Sequence, residues 1–292
     1  DRLFERLLEL VGAAEAAGFD LVTVMDHFYQ IAQVGQEEEP MLEAYTTLGA
    51  LAARTTRVRL GTMVTGVTYR NPAHLAKTVT TLDVISGGRA VLGIGAAWNE
   101  SEHRGYGFEF PPVRERMDRL DEALAICRLM FTEERPSFDG RYYRIEKALN
   151  VPRPMQPGGP AILIGGGGER RTLRLVAKYA DMSNWFGPLD ELRHKTEVLE
   201  RHCEEVGRDP STILRTVMSP FVLVATEREA AAAMEHIAPE RREMTSAVTP
   251  EQAAEGLRPY LDAGFGGIIF RNPTMLTPEA IGLGGELISL LS

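Results

Sequence analysis

The feature that most constrains this chain is a regular alternation of short apolar runs with longer segments whose apolar residues recur at helical spacing. Leu3, Leu7, Leu10, Val11 and Ala14 mark an opening helix, and Gly18 supplies the residue that commonly closes one. Residues 21–25 then read as a strand. The pattern continues with helix 42–54 and strand 58–64, then helix 72–86, which opens on proline and stops at Gly87-Gly88, then strand 90–95. Beyond these come helix 113–131, strand 161–165, helix 169–179, strand 180–185, helix 189–206, strand 215–225, helix 251–262, strand 267–270 and helix 279–291. Parallel neighbours need a crossover helix and are buried on both faces, so this alternation predicts an α/β fold with a parallel sheet.

One phrase recurs near the two ends. Ala-Ala-Gly-Phe-Asp-Leu-Val-Thr-Val at 16–24 is echoed by Asp-Ala-Gly-Phe-Gly-Gly-Ile-Ile-Phe at 262–270, as expected of βα units closed into a barrel. The expectation is a single (β/α)8 TIM-barrel domain over 1–292. Seven strands are countable, so the first is expected to precede Asp1. Two segments leave the alternation. Residues 132–159 carry a hairpin signal around Asp139-Gly140 with a proline-rich connection. Residues 230–249 read as a charged helix and loop with no strand, a lid or surface insertion.

Composition narrows the function. The chain has 292 residues, 44 % of them apolar and 25 % charged, which is the make-up of an ordinary globule. No run approaches the roughly 20 apolar residues that cross a bilayer. The formal charge is −9, with basic residues scattered among acids, so nucleic acid is a poor partner. Cys127 and Cys203 lie in helical segments without metal-ligand spacing, which suits reduced packing cysteines and a cytoplasmic setting. No metal cluster can be read. The lysines Lys77, Lys147, Lys178 and Lys195 fall in helices or the hairpin, so a Schiff-base aldolase has no evident lysine, and no Gly-X-Ser-X-Gly elbow or His-Glu-X-X-His helix occurs.

Barrel chemistry collects at the C-terminal ends of strands. Four such places carry candidates. Asp26-His27 offers an imidazole beside a carboxylate, suited to proton transfer; a helix-capping Asp with a solvated His is the other reading. Residues 61–66 put small side chains around Met63-Val64, where a bulge would let backbone approach a flat ligand. Gly95 and Ala96 lead to Trp98, Asn99 and two acids, Glu100 and Glu102. Gly165, Gly166, Gly167 and Gly168 lead from a strand toward a helix and offer bare amides to a phosphate, though the Lys-Ser/Thr pair of a nucleotide-hydrolysing loop is missing. These features predict a barrel that binds a flat, phosphate-bearing cofactor.

As a set, Gly-Phe-Asp-Leu-Val-Thr-Val-Met-Asp-His (18–27), Arg-Leu-Gly-Thr-Met-Val-Thr (59–65), Tyr-Arg-Asn-Pro (69–72), Leu-Gly-Ile-Gly-Ala-Ala-Trp (92–98), Gly-Phe-Glu-Phe-Pro-Pro (107–112) and Ile-Gly-Gly-Gly-Gly (164–168) resemble the luciferase-like monooxygenase superfamily, in its branch of coenzyme F420-dependent oxidoreductases. The resemblance implies a homodimer and hydride transfer between F420 and a small organic substrate. An FMN monooxygenase or a non-catalytic flavin-binding protein of the same fold is the alternative. It implies Asp26 and His27 over the cofactor ring, with His27 as proton donor. A non-prolyl cis peptide at Met63-Val64 would stand behind the ring, with Thr65, Gly95, Ala96 and Asn99 around it. The phosphate would sit on residues 165–168. An ungapped comparison sets Trp98 where some relatives carry a catalytic Glu; allowing a gap, the implied second acid is Glu100. Trp98, Tyr106, Trp185 and Phe186 are expected pocket walls, and Arg70, Arg170 and Arg171 a cationic patch for the acidic cofactor tail.

Overall fold

The computed structural model describes residues 2–32, 34–235, 237, 242, 245–270 and 276–292. Helix α1 (Leu3–Ala17) ends at Gly18, whose φ of 96° is left-handed, and β1 (Leu21–Val24) follows. Next come α2 (Ala44–Ala52), β2 (Arg59–Thr62), β3 (Thr65–Gly66), α3 (Pro72–Ser86), β4 (Ala90–Gly95), α4 (Glu100–Tyr106) and α5 (Val113–Thr132). The small hairpin β5 (Phe138–Asp139) and β6 (Arg144–Ile145) precedes β7 (Ala161–Gly165), α6 (Thr172–Tyr179), β8 (Met182–Trp185), α7 (Leu189–Val206) and β9 (Leu214–Met218). The described chain closes with β10 (Phe221–Leu223), α8 (Ala230–Glu235), β11 (Ser246–Val248), α9 (Pro250–Asp262), β12 (Gly267–Ile269) and α10 (Pro278–Leu291).

Seven parallel strands form the curled sheet β1-β2-β4-β7-β8-β9-β12, the architecture of a TIM barrel with helices outside. Among the described residues β1 and β12 stand at the two ends of this path. The pleat sorts side chains to two sides. Leu60, Leu92, Ile94, Ile162 and Ile164 face outward into a core shared with Leu48, Leu75, Val79, Leu120 and Leu124 of the helices. Val91, Leu163 and Met182 face the barrel interior, joined there by Met63 and Val64. The recurring phrase is a helix exit: Phe19 N–H bonds Ala14 O and Phe265 N–H bonds Tyr260 O, each at 3.1 Å, after a left-handed glycine.

Three expectations need correction. The run 215–225 is two strands, because Pro220 has no N–H to continue the ladder and the Ser219 side chain caps the N–H of Phe221 at 3.0 Å. The second piece, β10, leaves the barrel sheet and pairs in parallel with β11, inside a segment expected to hold no strand. Parts of that segment, including His236, lie outside the described residues. Helix α6 starts at Thr172 and not at Glu169, so the glycines are separated from its first turn. The hairpin is where it was expected, anchored by Glu122, which accepts from the N–H groups of Arg141, Tyr142 and Tyr143 at 2.8 to 3.0 Å.

Candidate active site

Three strand ends converge on one mouth. At the end of β1, Asp26 is buried and both its oxygens accept from Arg70, at 2.6 and 3.1 Å. Arg70 also reaches Glu43 at 2.7 Å and lies over the Tyr45 ring. Burial works against the Arg70 charge, yet the Asp26 carboxylate outweighs it and holds the guanidinium pKa above its ordinary value. Arg70 is therefore engaged by two carboxylates and is not an uncommitted cation for a cofactor tail.

His27 meets Glu102, which the sequence marks as one of two acids beyond β4 but does not single out from Glu100. The helix α4, which the apolar pattern did not reveal, turns Glu102 inward until it is wholly buried. Glu102 Oε1 is 2.7 Å from His27 Nδ1 and also accepts from the Tyr69 hydroxyl; Oε2 accepts the Phe28 N–H at 2.8 Å. Burial raises the Glu102 pKa, but the hydrogen bonds from His27, Tyr69 and the Phe28 amide overcome this and leave it below the ordinary carboxylate value. Tyr69 moves the other way, its hydroxyl pKa raised by burial and by the bond to Glu102, so it stays a donor. An ionised Glu102 can only accept, which puts the His27 proton on Nδ1 and leaves Nε2 without a hydrogen-bond partner among the described residues. Glu100 is the correction: its side chain is 64 % exposed and lies 4.0 Å from Arg104, one turn along the same helix. Two helical residues span about 200°, so the two glutamates cannot share a face.

At the end of β2 the sequence anticipated a bulge, and one is present. Gly61 pairs with Val91 and Thr65 with Ile94, so the three residues 62–64 oppose only Leu92 and Gly93. The Met63-Val64 peptide is cis. Missing side chains make room for it. A methyl group on Gly93 would stand 1.8 Å from the Thr62 carbonyl oxygen, one on Gly95 2.9 Å from Val64 Cγ2, and one on Gly165 3.1 Å from both Val64 methyls. Thr65 lies behind the bulge, fully buried, with its hydroxyl bonded to Tyr45 at 2.8 Å and Thr62 at 3.0 Å. Asn99 is at the N-cap of α4, its carbonyl receiving His103 Nδ1–H and its side chain receiving Ser101.

At the end of β7 the residues 166–168 form an open turn. Gly166 has φ +103° and its N–H reaches Asn184 O at 3.4 Å; those of Gly167 and Gly168 donate to no acceptor among the described residues. Of the expected cations here, Arg171 is paired with Asp118, and Arg170 is exposed just beyond the turn. The aromatic walls divide as well. Trp98 is 55 % exposed and meets the His27 ring edge-on at 5.5 Å, while Tyr106 stacks on Phe28 at 4.5 Å. Phe186 is exposed, but Trp185 is not a wall: it is 1 % exposed and packs edge-on against Phe265 in the core.

Residues 3–267 match the family model described as luciferase-like monooxygenase. The chain belongs to the luciferase-like monooxygenase family. It is 32 % identical over 302 residues to an F420-dependent glucose-6-phosphate dehydrogenase of Nocardia farcinica, covering 91 % of this chain and 88 % of the relative. Among solved structures it resembles an F420-dependent secondary alcohol dehydrogenase in complex with an F420-acetone adduct, with a TM-score of 0.83 at 21 % identity over 98 % of this chain and 94 % of that one. An EDTA monooxygenase from Chelativorans sp. BNC1 also has a TM-score of 0.83, at 16 % identity over 99 % of this chain and 86 % of that one. At those identities the two structures establish the family's barrel fold. The sites above occupy the C-terminal strand ends of that barrel.

Proposed function

We propose that this chain is an oxidoreductase, one barrel domain over 1–292, that exchanges a hydride between coenzyme F420 and a small organic substrate. The observation that carries the reading is the 2.7 Å contact between Glu102 and His27 Nδ1 at the mouth, which leaves Nε2 as a proton-exchanging atom. The relatives' names supply the cofactor, and the site has features that fit it. The notch of Gly95 and Gly165 seats the Met63-Val64 bulge, and the buried Trp185 Nε1 beside the glycine turn has no partner among the described residues.

When bound, F420 supplies hydride chemistry at its deazaflavin ring; the protein's task is to bind, orient and handle the proton. The Met63-Val64 backbone, Gly95 and Ala96 are the residues that would hold the ring. Residues 165–168 would hold the phosphate. His27 Nε2 takes the proton from a substrate hydroxyl, or returns it to a carbonyl oxygen in the reverse direction. Glu102 steadies the imidazolium while it exists, and Asp26, locked by Arg70, fixes the end of β1 from which His27 projects. Glu102, not Glu100, is the second acid of this scheme.

Fluorescence titration with F420 and with FMN tests the reading. Tight binding of F420 together with substrate-dependent loss of its absorbance supports it; tight FMN binding with none of F420 sinks it in favour of a monooxygenase. That second reading draws support from the family's description and from the EDTA monooxygenase fold.

A homodimer belongs to the same proposal. Ile85, Leu149, Val151 and Met155 are exposed on one face, where the loop is tied to α3 by Lys77 donating to Val151 O and Asn150 to Thr80. Sedimentation of an Ile85→Arg, Val151→Arg variant as a monomer, against a wild-type dimer, supports that face. The cysteines, both free and buried, support a cytoplasmic setting; burial pushes the Cys127 thiol up to about 12.

A further inference from the structure

Lysine normally sends its ammonium into water, because burying a charge without a partner is costly. Lys195 of α7 does not. Its side chain is only 19 % exposed, and its sole ion pair among the described residues is a long one, 3.9 Å to the exposed Glu191. The stem is laid across the glycine turn. A methyl group on Gly167 would stand 2.8 Å from Lys195 Cε and 3.1 Å from Cδ, so the space a side chain would take at Gly167 is filled by this lysine.

A second observation comes from β8, whose Trp185 lies in the core between sheet and helices and reaches the same glycine. Trp185 Cδ1, the carbon bonded to the indole nitrogen, lies 3.9 Å from that methyl position. Trp185 is 99 % buried, and its Nε1–H has no hydrogen-bond partner among the described residues. An orphaned buried donor is costly, and a bound acceptor would relieve that cost. The neighbouring carboxylate is already engaged: Glu169 Oε1 is 3.4 Å from His194, and its carbonyl accepts from His202 Nε2 at 2.8 Å. So the turn gathers two idle backbone amides, one idle indole N–H and one underused ammonium around Gly167.

We propose that Lys195 and the indole N–H of Trp185 form, with the backbone of 166–168, a clamp for a cofactor phosphate. This rests on the reading above that a phosphate-bearing cofactor binds here, and it assigns the side-chain half of the site. Backbone amides alone hold a phosphate through partial charges; a lysine adds a full charge and a salt-dependent grip. In a chain of net charge −9 the clamp supplies the local positive potential that the whole molecule lacks.

The test is fluorescence titration of wild type, Lys195→Gln, Lys195→Arg and Trp185→Phe with F420 and with the deazaflavin nucleoside that lacks the phosphate tail, at low and high salt. Lys195→Gln is expected to weaken F420 binding about 10- to 100-fold and to flatten its salt dependence, leaving the nucleoside unchanged. Lys195→Arg keeps most of the affinity. Trp185→Phe weakens F420 by roughly 2- to 10-fold, again sparing the nucleoside. F420 bound as tightly by Lys195→Gln as by wild type overturns the clamp alone, as does an equal loss for F420 and nucleoside, which would mean that the lysine only packs. A wild-type protein that binds neither F420 nor FMN takes down the cofactor reading and the clamp with it.

Discussion

The mouth of the barrel has two corners built on opposite terms. In the corner made by the ends of β1 and β4, polar atoms are saturated from within: Asp26 by Arg70, and Glu102 by His27, Tyr69 and the Phe28 amide. In the corner made by the ends of β7 and β8, donors are left over: two glycine amides, the Trp185 indole and a half-used Lys195. The first corner fixes one imidazole tautomer before anything binds. The second leaves donors without protein partners among the described residues, which the proposed anion would complete. Proton transfer needs a group whose geometry does not wait for substrate, whereas affinity needs contacts that only the bound molecule completes.

The sharpest way to break this contrast is His27→Ala. Turnover should fall about 100- to 10,000-fold with F420 affinity little changed, measured by steady-state rates alongside fluorescence binding. A variant that turns over normally would remove the proton role from the saturated corner altogether. Asp26→Ala comes next. It strands Arg70 in a half-buried site with only Glu43 for company, and should cost about 3 to 5 kcal/mol of unfolding free energy in urea titrations.

Glu102→Gln probes the same corner more gently. It keeps shape but loses a charged acceptor, for an expected drop in turnover of roughly 10- to 150-fold with an unchanged circular dichroism spectrum. It also carries a pH signature. Because the folded state holds the Glu102 pKa below its ordinary value, its contribution to stability is complete above about pH 4.3 and is lost as pH falls through the lowered value. Wild type and Glu102→Gln should therefore differ in urea midpoint at neutral pH and converge in acid. Glu100→Gln gives the smallest effect. Only an exposed pair with Arg104 is lost, so stability should move by less than about 0.5 kcal/mol and turnover should hold.

Much of the second corner was legible in the sequence because it is local. Four consecutive glycines after an apolar strand announce a turn with bare amides; outside that corner, at the end of β2, small residues around Met63-Val64 announce a bulge in the same local way. The first corner was legible only in part. Asp26-His27 lies at a strand end that hydropathy marks. Glu102, however, sits in a seven-residue helix too short to show an apolar stripe, and an alignment argument favours the acid two residues earlier. The indirect sign was Tyr-Arg-Asn-Pro at 69–72, whose Tyr69 and Arg70 engage the two carboxylates. Trp185 misled for a related reason: a strand-end aromatic is a wall or a core residue according to which way the pleat turns it.

By itself, then, the sequence determined the parallel α/β alternation, the helix exits at Gly18 and Gly264, the hairpin at Asp139-Gly140 and the glycine-lined strand ends. Each of these is set by propensity, period or φ within a few residues. Only the tertiary structure decided that Glu102 rather than Glu100 faces His27, that Arg70 is taken by Asp26 and Glu43, and that Lys195 crosses Gly167 beside Trp185. These pairings join residues dozens of positions apart. They depend on helix rotation and strand register, which the packing of helices on the curled sheet fixes and no local pattern encodes.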